Sequence, residues 1–93
     1  MKSNFLKVKT DIKFYAKNGS ITAECVAVTF AVPSGANPVT VNGYPIPAGG
    51  SLAIELSAGQ IDMSRYEFFF GTGGSGNELY IIRVIPAMNL NND

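Results

Sequence analysis

A glycine-rich stretch, GTGGSGN at residues 71–77, is the part of the sequence that most resembles a chemical motif. Gly71, Gly73 and Gly76 have the G-x-G-x-x-G spacing of loops that hold a pyrophosphate. That site needs a helix after the glycines, because the helix N-terminus supplies the amides that bind the anion. Here the next residues, NELYIIRVIP, are rich in β-branched side chains and predict a strand. The stretch is therefore predicted to be a flexible hairpin tip between two antiparallel strands.

The other residues that could do chemistry do not form a catalytic set. The chain has no histidine, the commonest acid–base group and metal ligand near neutral pH. Its one cysteine, Cys25, lies in an apolar segment and is predicted to be a core residue. Glu55 and Glu67 fall on the outward parity of predicted strands and Asp62 falls in a loop, so nothing marks a carboxylate pair. We therefore predict no enzymatic activity, no cofactor and no metal site.

The segments between these residues are predicted to be strands. Short runs with a period of two or with many β-branched residues alternate with turn signals, and no stretch has the period of an amphipathic helix. Asn18-Gly19 predicts a hairpin between a first strand and a second strand over 20–32, and Asn42-Gly43 predicts a type I′ turn. The prediction is one all-β domain over 1–93, an antiparallel β-sandwich of immunoglobulin-like or jelly-roll-like type without substantial helix. A small barrel is the alternative.

Charge divides the chain into a basic first strand and an acidic remainder. Residues 1–18 carry five lysines and one aspartate, whereas the rest carries two arginines and six carboxylates. The strand alternates, which predicts that its apolar parity, with Val8, Ile12 and Phe14, is buried and that its lysines are exposed. A solvated strand face is the alternative to a contact surface. The lysines predicted to contact a partner are Lys7, Lys9, Lys13 and Lys17.

A second predicted contact is the hairpin around Asn42-Gly43. Tyr44 and Ile46 flank a proline there and would project apolar groups from the tip, as contact sites often do. The alternative is that both side chains fold back into the core. Pro45 cannot donate a hydrogen bond to a ladder, so this segment is predicted either to be an edge strand or to leave the sheet.

The composition bears on the compartment. Charged residues are 15% of the chain, against roughly 25% in ordinary soluble domains, so part of the surface is predicted to be covered by something else. A single cysteine permits no internal disulfide. The start, MKSNFLKVK, lacks the apolar stretch of a signal peptide, and no apolar run approaches the ~18 residues that span a bilayer. We expect a protein made in the cytoplasm, with no membrane partner.

Residues 39–70 resemble a pattern in small virion proteins of tailed bacteriophages, crAss-like phages included. In that pattern a short strand runs into VNG, then an apolar residue and GxS, an alternating strand, ID and a Y-x-F-x-F strand. The matching residues here occupy turn and core positions: Val41, Asn42, Gly43, Ile46, Gly49 or Gly50, Ser51, Leu52, Ile54, Ile61, Asp62, Tyr66, Phe68 and Phe70.

The resemblance implies a capsid-auxiliary or decoration protein that binds and stabilises the phage head in the virion, after assembly in the host cytoplasm. Its implied partners are the major capsid protein or other virion proteins, and a homo-oligomer is a further alternative. A second hypothesis is a carbohydrate- or protein-binding module of a fibre or tail, with Tyr66, Phe68 or Tyr80 exposed on a sheet face. A third is a barrel that binds single-stranded nucleic acid, which the pI near 6.1 disfavours.

Overall fold

The computed structural model describes residues 7–57 and 59–86 of the chain. These residues form eight β-strands and no helix. The strands are β1 (Val8–Tyr15), β2 (Gly19–Thr22), β3 (Ala27–Ala31), β4 (Val39–Val41), β5 (Tyr44–Ile46), β6 (Ser51–Glu55), β7 (Arg65–Phe70) and β8 (Leu79–Pro86). The basic strand predicted within 1–18 is thus β1, and residues 1–6 of that segment lie outside the described part of the chain.

The strands form two antiparallel sheets of four. Sheet 1 has the order β1-β8-β3-β6, and sheet 2 has the order β2-β7-β4-β5. The pairing is nested, since β1 pairs with β8, β2 with β7, β3 with β6 and β4 with β5. This is the jelly-roll arrangement, an extended hairpin rolled up so that its pairs alternate between two sheets. The predicted all-β sandwich is confirmed, and the strand order selects a jelly roll over an immunoglobulin-like fold or a barrel.

The core lies between the sheets and is built from the inward parity of each strand. Phe30 of sheet 1 packs against Tyr66 of sheet 2, with ring centroids 5.3 Å apart. Tyr15 and Phe68 make a similar contact at 5.1 Å. Tilted aromatic pairs at this separation are favourable beyond their buried area. The largest fully buried side chains among the described residues are Phe30, Phe68, Ile46, Leu79, Ile81, Val28, Val39, Val41 and Cys25.

The predicted hairpin at Asn18-Gly19 is wrong. The turn leads from β1 in sheet 1 to β2 in sheet 2, so the strands it joins do not pair. The side-chain oxygen of Asn18 accepts a hydrogen bond from the Phe70 amide at 2.8 Å, which ties the crossing to β7. The segment 20–32 is likewise two strands in different sheets, and the chain bends between them at Glu24, which has a φ of 47°.

The type I′ turn at Asn42-Gly43 is confirmed. Both residues have positive φ, 48° and 84°, and β4 and β5 pair directly across them. The side chain of Asn42 also accepts a hydrogen bond from the Glu67 amide at 2.8 Å. β5 is an edge strand, which is one of the two placements predicted from Pro45.

The glycine stretch 71–77 joins β7 of sheet 2 to β8 of sheet 1, so it is not a hairpin tip. It packs against the backbone of the 35–37 loop. A Cβ at Gly74 would lie 2.3 Å from the carbonyl carbon of Ala36, and therefore only glycine fits this close approach. The Asn37 side chain accepts a hydrogen bond from the Gly74 amide at 2.7 Å and donates one to Asn77 at 2.7 Å. The stretch is therefore a connection between the two sheets that packs on the 35–37 loop, and the predicted hairpin tip is wrong.

Candidate interaction surface

β1 is rotated relative to the prediction. Its apolar parity faces outward, where Val8, Ile12 and Phe14 are 47%, 62% and 52% exposed. The opposite parity turns toward the sandwich because Tyr15 packs on Phe68 and Asp11 pairs with a cation there. The prediction that the apolar parity is buried within this chain is therefore wrong.

The outward residues of β1 belong to a continuous surface on sheet 1, which we call the apolar face. Residues paired across antiparallel strands point to the same side, so the register defines its members. The alternate residues of β3 and β8, such as Phe30 and Ile81, are buried in the core, which places the others outside. Those on the apolar face are Val8, Thr10, Ile12, Phe14, Ala27, Thr29, Ala31, Ser51, Ala53, Glu55, Tyr80, Ile82, Val84 and Pro86.

The relief of the apolar face is uneven. β1 and β8 contribute large side chains, and Phe14 and Tyr80 stand in contact with ring centroids 5.2 Å apart. β3 and β6 contribute small ones, mostly alanine, serine and threonine. Among the described residues of this face, only Glu55 is charged, and it lies on the edge strand β6. The face thus has a raised half and a low half, both neutral apart from that edge.

The outer face of sheet 2 has a different chemistry. Arg65 and Glu67 of β7 form an exposed ion pair at 3.6 Å. Their neighbours on β2 are Ser20 and Thr22, which are also exposed. Phe69 is the large apolar exception, at 52% exposed. Of the two outer faces, one is therefore solvated in the usual way and the other is apolar.

Arg83 holds β1 in its rotated position. Its Nε and Nη2 donate to Oδ2 of Asp11 at 3.1 and 2.9 Å. Its Nη1 donates to the carbonyl oxygen of Ala23 at 2.9 Å, in the segment that leaves sheet 2. The guanidinium therefore links β8, β1 and the crossing between the sheets. Since Asp11 points inward to reach it, the adjacent Ile12 must point outward.

The predicted lysine contacts are exposed. Lys9 and Lys13 lie on the parity of β1 opposite the apolar face, and Lys7 and Lys17 flank the strand. Lys13 also lines a groove of about 230 Å³ between β1 and β2. The lysines therefore border the open edge of the sandwich beside the apolar face and do not interrupt that face.

Of the two other residues predicted to contact a partner, Tyr44 is exposed and Ile46 is buried. Tyr44 is 57% exposed at the β4–β5 turn. Ile46 is 1% exposed and pairs with the buried Val39, so its predicted partner contact is wrong and the core alternative holds for it. β5 is at the opposite edge of sheet 2 from β2, which lies next to the lysines of β1. The structure therefore does not bring Tyr44 together with the predicted lysine contacts.

The buried polar groups have structural partners. The Tyr66 hydroxyl donates to Asp62 Oδ2 at 2.6 Å, and the Ser64 amide donates to Oδ1 at 2.8 Å. Burial by itself would raise the pKa of Asp62, but the hydrogen bonds from Tyr66 and Ser64 bring it below its ordinary value. Burial, and then the Asp62 charge, raise the pKa of the Cys25 thiol, which disfavours the thiolate that a nucleophile needs. The hydrogen bonds of Asp62 therefore fix the loop before β7 to the core.

The aromatic residues expected for a sugar-binding module are mostly inside. Tyr66 and Phe68 are buried, so neither can offer a stacking platform. Tyr80 is exposed on the apolar face, but its ring is tilted by 54° to Phe14.

The residues that sequence reasoning missed are the outward ones of β1 and β8. A signal was present, because LYIIRVIP is apolar on both parities and so predicts a strand buried on both faces. In the structure, one face of β8 is buried in the core and its other face forms part of the apolar face.

Within residues 7–57 and 59–86, no cluster of three or more potential metal ligands occurs, and no helix could cross a membrane. Comparison with protein-family models, curated proteins and solved structures found no match.

Proposed function

We propose that this chain is a non-enzymatic structural protein of a phage virion, a capsid-auxiliary protein that binds and stabilises the head. The observation that carries the proposal is the apolar face. The largest contiguous apolar patch on a soluble protein is often its contact site. A protein that keeps one outer sheet face neutral and the other polar is suited to be covered on one side only.

The resemblance of residues 39–70 to small virion proteins supports the phage part of the proposal. The jelly roll is a common architecture of viral capsid domains, although it also occurs in lectins. This support is by analogy of fold, since one fold serves many functions. The low share of charged residues, 15%, agrees with a surface that is partly covered.

The lysines are proposed to orient the protein on the shell. Lys7, Lys9 and Lys13 are exposed along one edge of the sandwich, while the carboxylates outnumber the arginines in the rest of the chain. Charges at the rim of an interface mainly raise the association rate and select the orientation, whereas buried apolar area supplies most of the affinity. The acidic partner surface would belong to the major capsid protein or another virion protein.

Binding to heads tests this function. The purified chain is mixed with heads of a crAss-like phage from which auxiliary proteins have been stripped, and bound chain is measured after sedimentation. We expect saturable binding that the change of Lys7, Lys9 and Lys13 to glutamate weakens, most strongly at low salt. Arg65→Glu reverses an exposed charge on sheet 2 and should bind as the unmodified chain does. Lack of any binding, or equal binding by the triple variant, would contradict the proposal.

The exposed Phe14–Tyr80 pair favours, as the second candidate, a carbohydrate- or protein-binding module of a fibre or tail. Aromatic rings on a sheet face can stack against sugars, and glycan-array binding by the chain would distinguish this function. Binding lost on Tyr80→Ala, together with no binding to heads, would favour it over the capsid role.

A further inference from the structure

We propose that the occupant of the apolar face is a second copy of this chain, packed face to face about a two-fold axis parallel to the strands. The inference rests on the proposed function and names the partner that covers the apolar face. In a two-fold dimer the same patch on both subunits must be self-complementary, which is a demanding condition on shape and charge. The apolar face meets both conditions.

The shape condition follows from the strand order. The raised half, β1 and β8, occupies one side of sheet 1, and the low half, β3 and β6, occupies the other. An axis that runs along the strands between β8 and β3 places β1 over β6 of the second copy and β8 over β3. Large side chains then fall on small ones in both halves. An axis across the strands would instead set large on large and leave the small residues apart.

The register specifies which residues meet. Ile12, Ile82, Thr29 and Ala53 form one cross-strand row, because each is paired with the next. An axis parallel to the strands keeps rows opposite their own copies, so Ile12 faces Ala53 of the second copy. In the neighbouring row, Phe14 faces Ser51 of the second copy by the same rule.

The charge condition also holds. Glu55 is the one charged residue of the apolar face within the described chain, and it lies on the edge strand β6. The proposed axis places the two Glu55 carboxylates at opposite edges of the interface, each facing Thr10 of the other copy. No like charges meet. The outer face of sheet 2, with Arg65 and Glu67 near its middle, has no comparable neutral surface to offer.

The size of the face sets the expected strength. β1 and β8 are eight residues long and β3 and β6 are five, so strands ~4.8 Å apart with a rise of ~3.4 Å per residue cover roughly 420 Å² per copy. The pair would bury about 840 Å², which is in the range of weak, transient interfaces and below that of stable ones. We therefore expect a weak dimer that dissociates on dilution.

Sedimentation velocity over a series from micromolar to millimolar chain concentration tests the dimer. The expected result is a concentration-dependent shift from one to two chain masses. Ile12→Lys places a charge midway along the edge strand β1, opposite Ala53 of the second copy, and should weaken dimerisation by about 10-fold because an apolar contact is lost there. Phe69→Lys is the matched control and should leave dimerisation unchanged, since Phe69 is 52% exposed on the outer face of sheet 2, against 62% for Ile12 on the apolar face. Circular dichroism would verify that both variants are folded.

The arrangement is tested by a compensating pair. Ala53→Glu alone should also weaken the dimer, and the double variant I12K/A53E should regain most of the lost affinity, because each introduced lysine would face an introduced glutamate of the other copy. Within one chain the two positions are about 14 Å apart, three strand spacings, which is too far to pair. Absence of rescue would overturn the proposed axis.

A chain that stays monomeric at every concentration overturns the dimer, and so does equal weakening by Phe69→Lys. A monomer whose binding to heads is lost in Ile12→Lys would assign the face to a shell protein, which overturns the second copy while the proposed function stands. A dimer that ignores heads would contradict the proposed function and leave the dimer supported.

Discussion

The Asp62 carboxylate and the Tyr66 hydroxyl form the shortest hydrogen bond between two buried side chains in the described structure, at 2.6 Å. Asp62 also exchanges both backbone hydrogen bonds with Cys25, so the loop before β7 is fixed to the segment between β2 and β3. A buried carboxylate is tolerated only when its oxygens are paired. Here the tyrosine and the Ser64 amide satisfy them.

This bond predicts a loss of stability at alkaline pH. Burial, then the hydrogen bond to Asp62 and its charge, raise the pKa of Tyr66 from 10.0 to about 12. A group whose pKa is raised on folding stabilises the folded state below its unfolded value, and that stabilisation is lost as the pH rises toward the folded value. The tyrosine should thus contribute about 2–3 kcal/mol that disappears between pH 10 and 12.

Tyr66→Phe tests this prediction. The variant lacks the titrating hydroxyl, so the difference in unfolding free energy from the unmodified chain should shrink between pH 10 and 12. Urea unfolding followed by circular dichroism, under reducing conditions, gives the free energies. Tyr44→Phe removes an exposed hydroxyl and is the matched control. A constant difference for Tyr66→Phe would contradict the prediction.

For single residues, the sequence predicts a core position inside an apolar segment better than the burial of a residue beside a turn. Cys25 as a core residue follows from its apolar neighbours and is confirmed. Tyr44 and Ile46 lie two residues apart in β5, on either side of Pro45. Tyr44 is nevertheless exposed, whereas Ile46 is fully buried. The alternation of the strand cannot give this difference, because residues two apart in a strand point to the same face.

In β1, the Asp11–Arg83 ion pair and the packing of Tyr15 on Phe68 together fix which face points outward. Alternation alone gives a strand two faces and does not say which one is buried. The lysines suggested that their own parity was the solvated one. The ion-pair partner of Asp11, Arg83, is 72 residues away in the sequence, and no local sequence pattern predicts that the two will pair. The strand was predictable, while its rotation was not.

The role of Arg83 is tested by Arg83→Lys. An ammonium cannot make the planar set of bonds to Asp11 and to the Ala23 carbonyl at once, so one partly buried acceptor loses its donor. We expect a loss of about 1–3 kcal/mol in unfolding free energy, measured by urea denaturation. Arg65→Lys is the control in an exposed ion pair and should change stability by less than about 0.5 kcal/mol. Equal effects of the two changes would show that Arg83 acts only as a surface charge.

The strands of the molecule pair in a nested order, in which the first strand, β1, pairs with the last, β8. Short strands and turns are visible in the sequence, but a turn such as Asn18-Gly19 looks the same whether it joins paired strands or leads to the other sheet. For this reason the sandwich class was predictable and the strand order was not. Proteins dominated by such distant pairings fold slowly, because the loops must close before the contacts form.

A circular permutant tests the cost of this order. Joining residue 93 to residue 1 and opening the chain between Gly59 and Gln60, both exposed, makes β1 and β8 consecutive. The fold should be kept and refolding should accelerate, since the β1–β8 pair becomes a local hairpin. Stopped-flow refolding from urea gives the rates. An unchanged rate would mean that β1–β8 pairing comes after the limiting step.

The pairing of Val8 with Pro86 brings both ends of the described chain to one corner of sheet 1. A tensile load applied through the two ends would therefore act across β1 and β8 and not along them. Such a load opens the ladder one hydrogen-bonded pair at a time, like a zipper, beginning at Val8. The domain should withstand pressure on its faces far better than traction on its ends, and an assembly that must bear force would have to grip it by the sheets.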